Sequence, residues 1–237
     1  MALPKINTPT YELEVPSTGE KIKYRPFLVK EEKILLIASE SGKQEDVINA
    51  IKQIATECTF GKLKVGRMPM FDVEYIFLQI RAKSVGEVSE LTLVAPDDKE
   101  TRVDIEIDLS EIKVQESEGH TNKIELTDEM GIYMQYPTVD TFGKSGMTEI
   151  TATNMLDVIS SCIFEIYDKK GEEVFQAKDS TKKELVDFIE QLSSKQFANI
   201  QDFFDTMPKL KHNITIKNPK TKVESEVVLS GLSDFFV

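Results

Sequence analysis

Apolar and polar residues alternate through Tyr11, Leu13 and Val15, break from Pro16 to Gly19, and resume at Ile22 and Tyr24. That period of two around a turn predicts a hairpin. From Lys30 the period changes. In EEKILLIASESGKQEDVINAIKQIATE, Val47, Ile48, Ile51, Ile54 and Ala55 recur at helical spacing, and Gly42 separates two predicted helices. In MFDVEYIFLQIRAKSVGE, Phe71, Tyr75, Ile76 and Leu78 suit one more helix ending near Gly86. LTLVAPDDKETRVDIEIDL, from Leu91 to Leu109, then reads as two short strands around a turn.

VQESEGHTNK, from Val114 to Lys123, is polar and contains glycine. It reads as a linker, dividing the chain into 1–114 (hairpin, helices, first ribbon) and 115–237 (strand, helices, C-terminal ribbon). Beyond it, alternation around Ile132, Tyr133 and Met134 predicts a strand that stops before Pro137. MTEITATNMLDVISSCIFEIYD carries Ile150, Met155, Leu156, Ile159, Cys162, Ile163 and Ile166, which reads as a helical stripe about four turns long. Two helix starts follow. Thr181 with Glu184 and Ser193 with Gln196 fit the capping box, in which a hydroxyl caps a backbone N–H and the later side chain reaches back. The first helix offers Leu185, Phe188, Ile189 and Leu192 on one face, the second Phe197, Ile200, Phe203 and Phe204.

ITIKNPKTKVESEVVLSGLSDFF, from Ile214 to Phe236, is a second ribbon of the same outline. Leu91-Thr92-Leu93 matches Ile214-Thr215-Ile216 at an offset of 123, and Pro96 falls on Pro219. Past the turn, Ile105 and Ile107 match Val227 and Leu229 at an offset of 122, so the turns differ by one residue. The expected fold class is therefore α+β, with two similar helix-plus-hairpin halves. Turns of this kind often carry metal-binding cysteines. Zinc needs four ligands, and Asn218, Pro219, Lys220, Thr221 and Lys222 supply no cysteine. His120 and His212 are the only histidines, and each reads as a surface residue.

Composition narrows the function further. With 237 residues and 40% apolar content the chain has enough material for a buried core. Cys58 and Cys162 both fall in apolar contexts and read as buried, inert thiols. No apolar run reaches signal-peptide or membrane-span length, which places the chain in a cytoplasm. A net charge of -12 argues against a large phosphate-binding face. The basic stretch from Met207 to Lys222 reads as a solvated face. No phosphate loop, G-x-S-x-G or H-E-x-x-H occurs, and pairs such as Glu172-Glu173 and Asp97-Asp98 sit in exposed turns, so no enzyme activity and no cofactor is expected.

Four runs carry a resemblance that composition does not supply. YRPFLVKEEKILLIASES (Tyr24 to Ser41), FDVEYIFLQIRAKSVGE (Phe71 to Glu87), GIYMQYPT (Gly131 to Thr138) and FFDTMPKLKHNITIKNPKTKVESEVVLSGLSDFF (Phe203 to Phe236) resemble, in order, the baseplate proteins of T4-type contractile-tailed phages. The resemblance implies a protein of the baseplate central hub: either an assembly factor acting in the host cell cytoplasm or a permanent hub subunit in the virion tail. Other hub proteins are the implied partners, with no nucleic acid among them. Some members carry a Cys-Pro-x-Cys-Gly knuckle where this chain has Asn218 to Lys222, which implies a ribbon outline kept without its metal. A third class, a degenerate zinc-ribbon module on nucleic acid, would need a continuous basic face, and the acidic VDIEIDLSEI speaks against it. The candidate partner surface is the helix around Phe71, Tyr75, Phe77 and Arg81 together with Phe203, Phe204, Leu232, Phe235 and Phe236, each of which also has a core reading.

Overall fold

The computed structural model describes residues 6–143, 151 and 153–235. It is an α+β protein with seven α-helices and four antiparallel sheets among the described residues. Contacts divide it into two compact units, Met1–Gln115 with Lys209–Val237, and Glu116–Pro208. The grouping in space is thus not the grouping in sequence. The last ribbon belongs with the first.

In the first unit, β1 (Tyr11–Glu14) and β2 (Lys21–Tyr24) form the N-terminal hairpin. Its buried side chains are Leu13, Val15, Ile22 and Tyr24. Helices α1 (Val29–Glu40) and α2 (Gln44–Cys58) pack on each other, and α2 packs on α3 (Met70–Val85). Helix α3 has buried residues on all sides, including Ile76, Phe77, Leu78 and Ile80, so it is the centre of this unit rather than an amphipathic surface helix. Gly86, at a φ of 141°, ends it where a side chain would be strained. In the turn between β1 and β2 the Ser17 N–H donates to the Asp72 carboxylate at 3.0 Å, and the Ser17 hydroxyl donates to its other oxygen. The hairpin is thereby tied to the first turn of α3.

The two ribbons follow. The first pairs β3 (Val88–Val94) with β4 (Arg102–Asp108), and β5 (Lys113–Gln115) comes next. The second pairs β10 (Lys209–Lys217) with β11 (Glu224–Ser230), and β10 also pairs with β5, giving the order β11-β10-β5. The repeat extends to the strand register. Leu91 faces Ile105 and Val94 faces Arg102 in the first ribbon, while Ile214 faces Val227 and Lys217 faces Glu224 in the second. These pairs correspond at the offsets of 123 and 122. The turns match too: the Lys99 N–H donates to the Ala95 carbonyl and the Lys222 N–H to the Asn218 carbonyl, each at 2.9 Å, and both lysines have positive φ. One core joins the ribbons to α3, with Leu78, Leu91, Ile107, Leu210, Leu229 and Phe235 at its centre.

The second unit is a four-stranded sheet, β6 (Lys123–Glu125), β7 (Met130–Met134), β8 (Ile163–Asp168) and β9 (Glu173–Gln176), in that order. It is accompanied by α4 (Val139–Gly143), α5 (Met155–Cys162), α6 (Lys182–Glu190) and α7 (Ser194–Thr206). The predicted four-turn stripe is corrected here. Its helix ends at Cys162 and the chain turns straight into β8, while Ile150 lies outside the described residues. Ile163, Phe164, Ile166 and Tyr167 are β-branched or aromatic, and pairing with β7 outweighs a weak helical preference. Both capping boxes are present, with the Glu184 N–H donating to the Thr181 hydroxyl and the Gln196 N–H to the Ser193 hydroxyl. Ile200, Phe203 and Phe204 from α7 close this unit's own core against Ile132, Ile159 and Cys162.

Candidate partner-binding surfaces

The structure places the aromatic candidates mainly inside. On α3, Phe71 and Phe77 are buried, while Tyr75 and Arg81 are half-buried. Burial pushes the Tyr75 phenol up and the Arg81 guanidinium down from their ordinary values. Phe203 and Phe204 are buried in an edge-to-face pair, with centroids 5.1 Å apart. Phe203 also stacks on Tyr136 and packs against His120. His120 is not a surface residue: its ring nitrogens lie 2.9 Å from the Thr206 hydroxyl and 3.1 Å from that of Tyr136, and burial lowers its pKa.

The C-terminal segment is docked. Phe235 is fully buried, and the Ser89 hydroxyl donates to its carbonyl at 3.4 Å. The Gly231 N–H donates to the Leu210 carbonyl and the Ser230 N–H to the Asp234 carboxylate. Leu232 is half-buried and its N–H donates to the Glu74 carboxylate. Burial pushes that carboxyl up to about 7, the Leu232 hydrogen bond pulling the other way. Phe236 lies outside the described residues.

What faces solvent is a different set of apolar side chains. Helix α1 exposes Val29, Leu36 and Ile37, and Leu28 precedes them. In the second unit, Phe164 on β8 is exposed, as are Val174 and Phe175 on β9, the edge strand of the sheet. Phe164 also lines an open cleft of about 340 Å³, together with Gln135, Ser161, Gln176 and Leu185 among others. Periodicity alone misses both surfaces, because an apolar residue reads the same whether its neighbour is core or water.

A family model described as T4 bacteriophage base plate protein matches residues 8–237. The chain belongs to that family. No curated protein and no solved structure matches it. As a phage baseplate protein it has other baseplate proteins as partners and the virion tail baseplate as its setting.

In this baseplate protein no cluster of three metal-ligating side chains occurs among the described residues, and no helix among them is long and apolar enough to cross a membrane. Cys58 and Cys162 are buried free thiols, pushed by burial up to about 11 and about 12, far from the reactive thiolate range. The ribbon tips meet through hydrogen bonds. Asn218, itself buried, donates to both oxygens of Asp97 at 3.0 and 3.1 Å, and Thr221 donates to the same carboxylate at 2.5 Å. The Asn218 side-chain oxygen accepts from the N–H groups of Lys220 and Thr221, and Asp98 accepts from those of Glu100 and Thr101. Each turn therefore holds itself, and Asp97 joins the two.

Proposed function

We propose that this baseplate protein acts without catalysis in assembling the baseplate central hub, through contacts with other hub proteins in the host cell cytoplasm. The observation that carries this reading is β9, the edge strand of the second unit's sheet, where Val174 and Phe175 are exposed in a chain of net charge -12, with Phe164 of the neighbouring β8 lining an open cleft. Exposed apolar side chains on an edge strand suit a partner strand, since the edge offers unpaired backbone groups and an apolar contact on each face together. Tyr75, Arg81 and Leu232 in the first unit retain partial exposure, and are the surface to turn to if this edge fails its test. Nucleic acid has no part in it.

The alternative is a permanent hub subunit, which the family's description as a base plate protein favours. Quantitative mass spectrometry of purified virions beside infected-cell lysate separates the two. Abundance in the lysate with near absence from virions is the expected result. A stoichiometric ratio to hub proteins in virions would replace the assembly factor with the structural subunit. Phe175→Glu tests the docking edge: the variant is expected to keep its melting temperature and to lose co-purification with hub proteins. Undiminished co-purification would exclude this edge.

A further inference from the structure

Helix α1 is apolar on two sides. Ala38 and the half-buried Ile34 and Leu35 belong to the side that packs on α2, and Glu31 is held there by Arg25 at 2.8 Å and by the Leu28 N–H at 2.7 Å. The opposite stripe is Val29, Lys33, Leu36, Ile37 and Glu40, spaced as neighbours on one helical face. Val29 is 79% exposed, Leu36 59% and Ile37 57%. Covering such a row is favourable at about 25 cal/mol per Å².

The charges on this stripe say what covers it. Lys33 lies toward the N-terminal end and Glu40 in the last turn, and neither has an ion-pair partner among the described residues. Glu40 sits by the negative end of the helix macrodipole, and no basic residue occupies that turn. An antiparallel copy of the same helix resolves both features. With a two-fold axis between Leu36 and Ile37, those side chains meet their counterparts at the centre. Lys33 of each copy then faces Glu40 of the other, bringing a cation to the helix end that lacks one. The pattern is self-complementary in the sense an isologous interface requires, each contact occurring twice.

We infer that the outer face of α1 is a homotypic docking surface on which two copies of this chain pair antiparallel. The inference stands apart from the hub reading, which concerns other proteins and the second unit. One helix face covers well under the roughly 800 Å² per partner of a standard interface, so association in the high-micromolar range is expected. Like net charge on both copies opposes it further.

Sedimentation velocity over a concentration series of the full chain tests this. Reversible dimerisation is expected, with Leu36→Asp weakening it at least tenfold while leaving the circular dichroism and melting temperature unchanged. Lys33→Glu and Glu40→Lys are each expected to weaken association about fivefold, and the double variant to return it to within about twofold of the original. That rescue is specific to Lys33 facing Glu40 across the two-fold axis. A monomer at every concentration up to about 0.5 mM overturns the inference, as does a dimer indifferent to Leu36→Asp or a double variant weaker than either single one. Loss of a hub protein on Leu36→Asp substitution in a parent chain that is itself monomeric would assign the face to a different partner and overturn the second copy as its occupant.

Discussion

Gly131 has no room for a side chain. It sits on β7 directly opposite Tyr167 on β8, and an added Cβ would lie 2.2 Å from the Tyr167 hydroxyl oxygen and 2.5 Å from the Ile124 carbonyl. The ring covers the gap the glycine leaves, and the Tyr167 hydroxyl is buried with no hydrogen-bond partner among the described residues. Gly131→Ala is expected to cost about 2–3 kcal/mol by overpacking, measured as a loss of urea midpoint. A change under 0.5 kcal/mol would mean the strand pair gives way easily. Glu74 makes a prediction in pH. Its carboxyl titrates near 4.3 in an unfolded chain and at about 7 when folded, so folding takes up a proton between those values. Its contribution to stability falls as pH rises through that window and is flat below it. Glu74→Gln keeps an acceptor for the Leu232 N–H and removes the charge. The variant should gain more stability over the parent at pH 8.5 than at pH 5.5, and an equal gain at both would refute the assignment. At Glu31 the sign is opposite. Desolvation there is outweighed by bonds from Arg25, the Leu28 N–H and Lys30, which hold its carboxyl down at about 2, so its stabilisation is lost only in acid.

At the scale of elements, the ribbons show what a repeat preserves. Register, turn bonds and the positive-φ lysine recur, and the buried Ile107 of β4 corresponds to the buried Leu229 of β11. What joins the tips is polar: Asn218 spends both side-chain groups on hydrogen bonds, one toward Asp97 and one on its own turn. Asn218→Ala is expected to destabilise the chain by about 2 kcal/mol, since a buried hydrogen-bonding group is lost and the turn's N–H groups are left unpaired. Asn218→Asp should be worse at pH 7 than at pH 4, because it sets a second carboxylate against Asp97; equal losses at the two pH values would count against the tip contact. These ribbons, the N-terminal hairpin and α2 were legible because their periods are clear, and α1 and α3 because long apolar runs end at Gly42 and Gly86. The segment from Met155 to Asp168 was not. Ile159, Cys162, Ile163 and Ile166 satisfy a helical period while Ile163 to Asp168 also suits a strand, and only the open edge of β7 decides between them. Strand β9 escaped notice because four residues with no buried face carry no alternation of burial to read. The exposed row on α1 was hidden in the same way, inside a run of four apolar residues, Ile34 to Ile37, whose two faces the sequence does not distinguish.

At the scale of the molecule, the decisive fact is where the second unit is inserted. The chain leaves the first unit at Gln115 and returns at Lys209, and these two residues are directly opposed partners in the β5–β10 pair. The whole of Glu116–Pro208 therefore occupies the place of a hairpin turn. This explains why order along the sequence misleads about grouping: strands paired in space are separated by a folded insertion with its own helices and core. A two-residue Asn-Gly turn, suited to the twist of antiparallel strands, can bridge such a pair. Replacing 116–208 by Asn-Gly should leave a chain that melts cooperatively and keeps Phe235 buried, because every member of the first unit's core lies outside the insertion. Aggregation or a featureless melt would mean that the first unit depends on the second for its stability. The same chain separates the two surfaces physically. It retains α1 and lacks β8 and β9, so it should still self-associate and fail to capture hub proteins. Capture persisting in its absence would move the hub contact to the first unit, onto the partly exposed Tyr75, Arg81 and Leu232 beside the docked C-terminal turn.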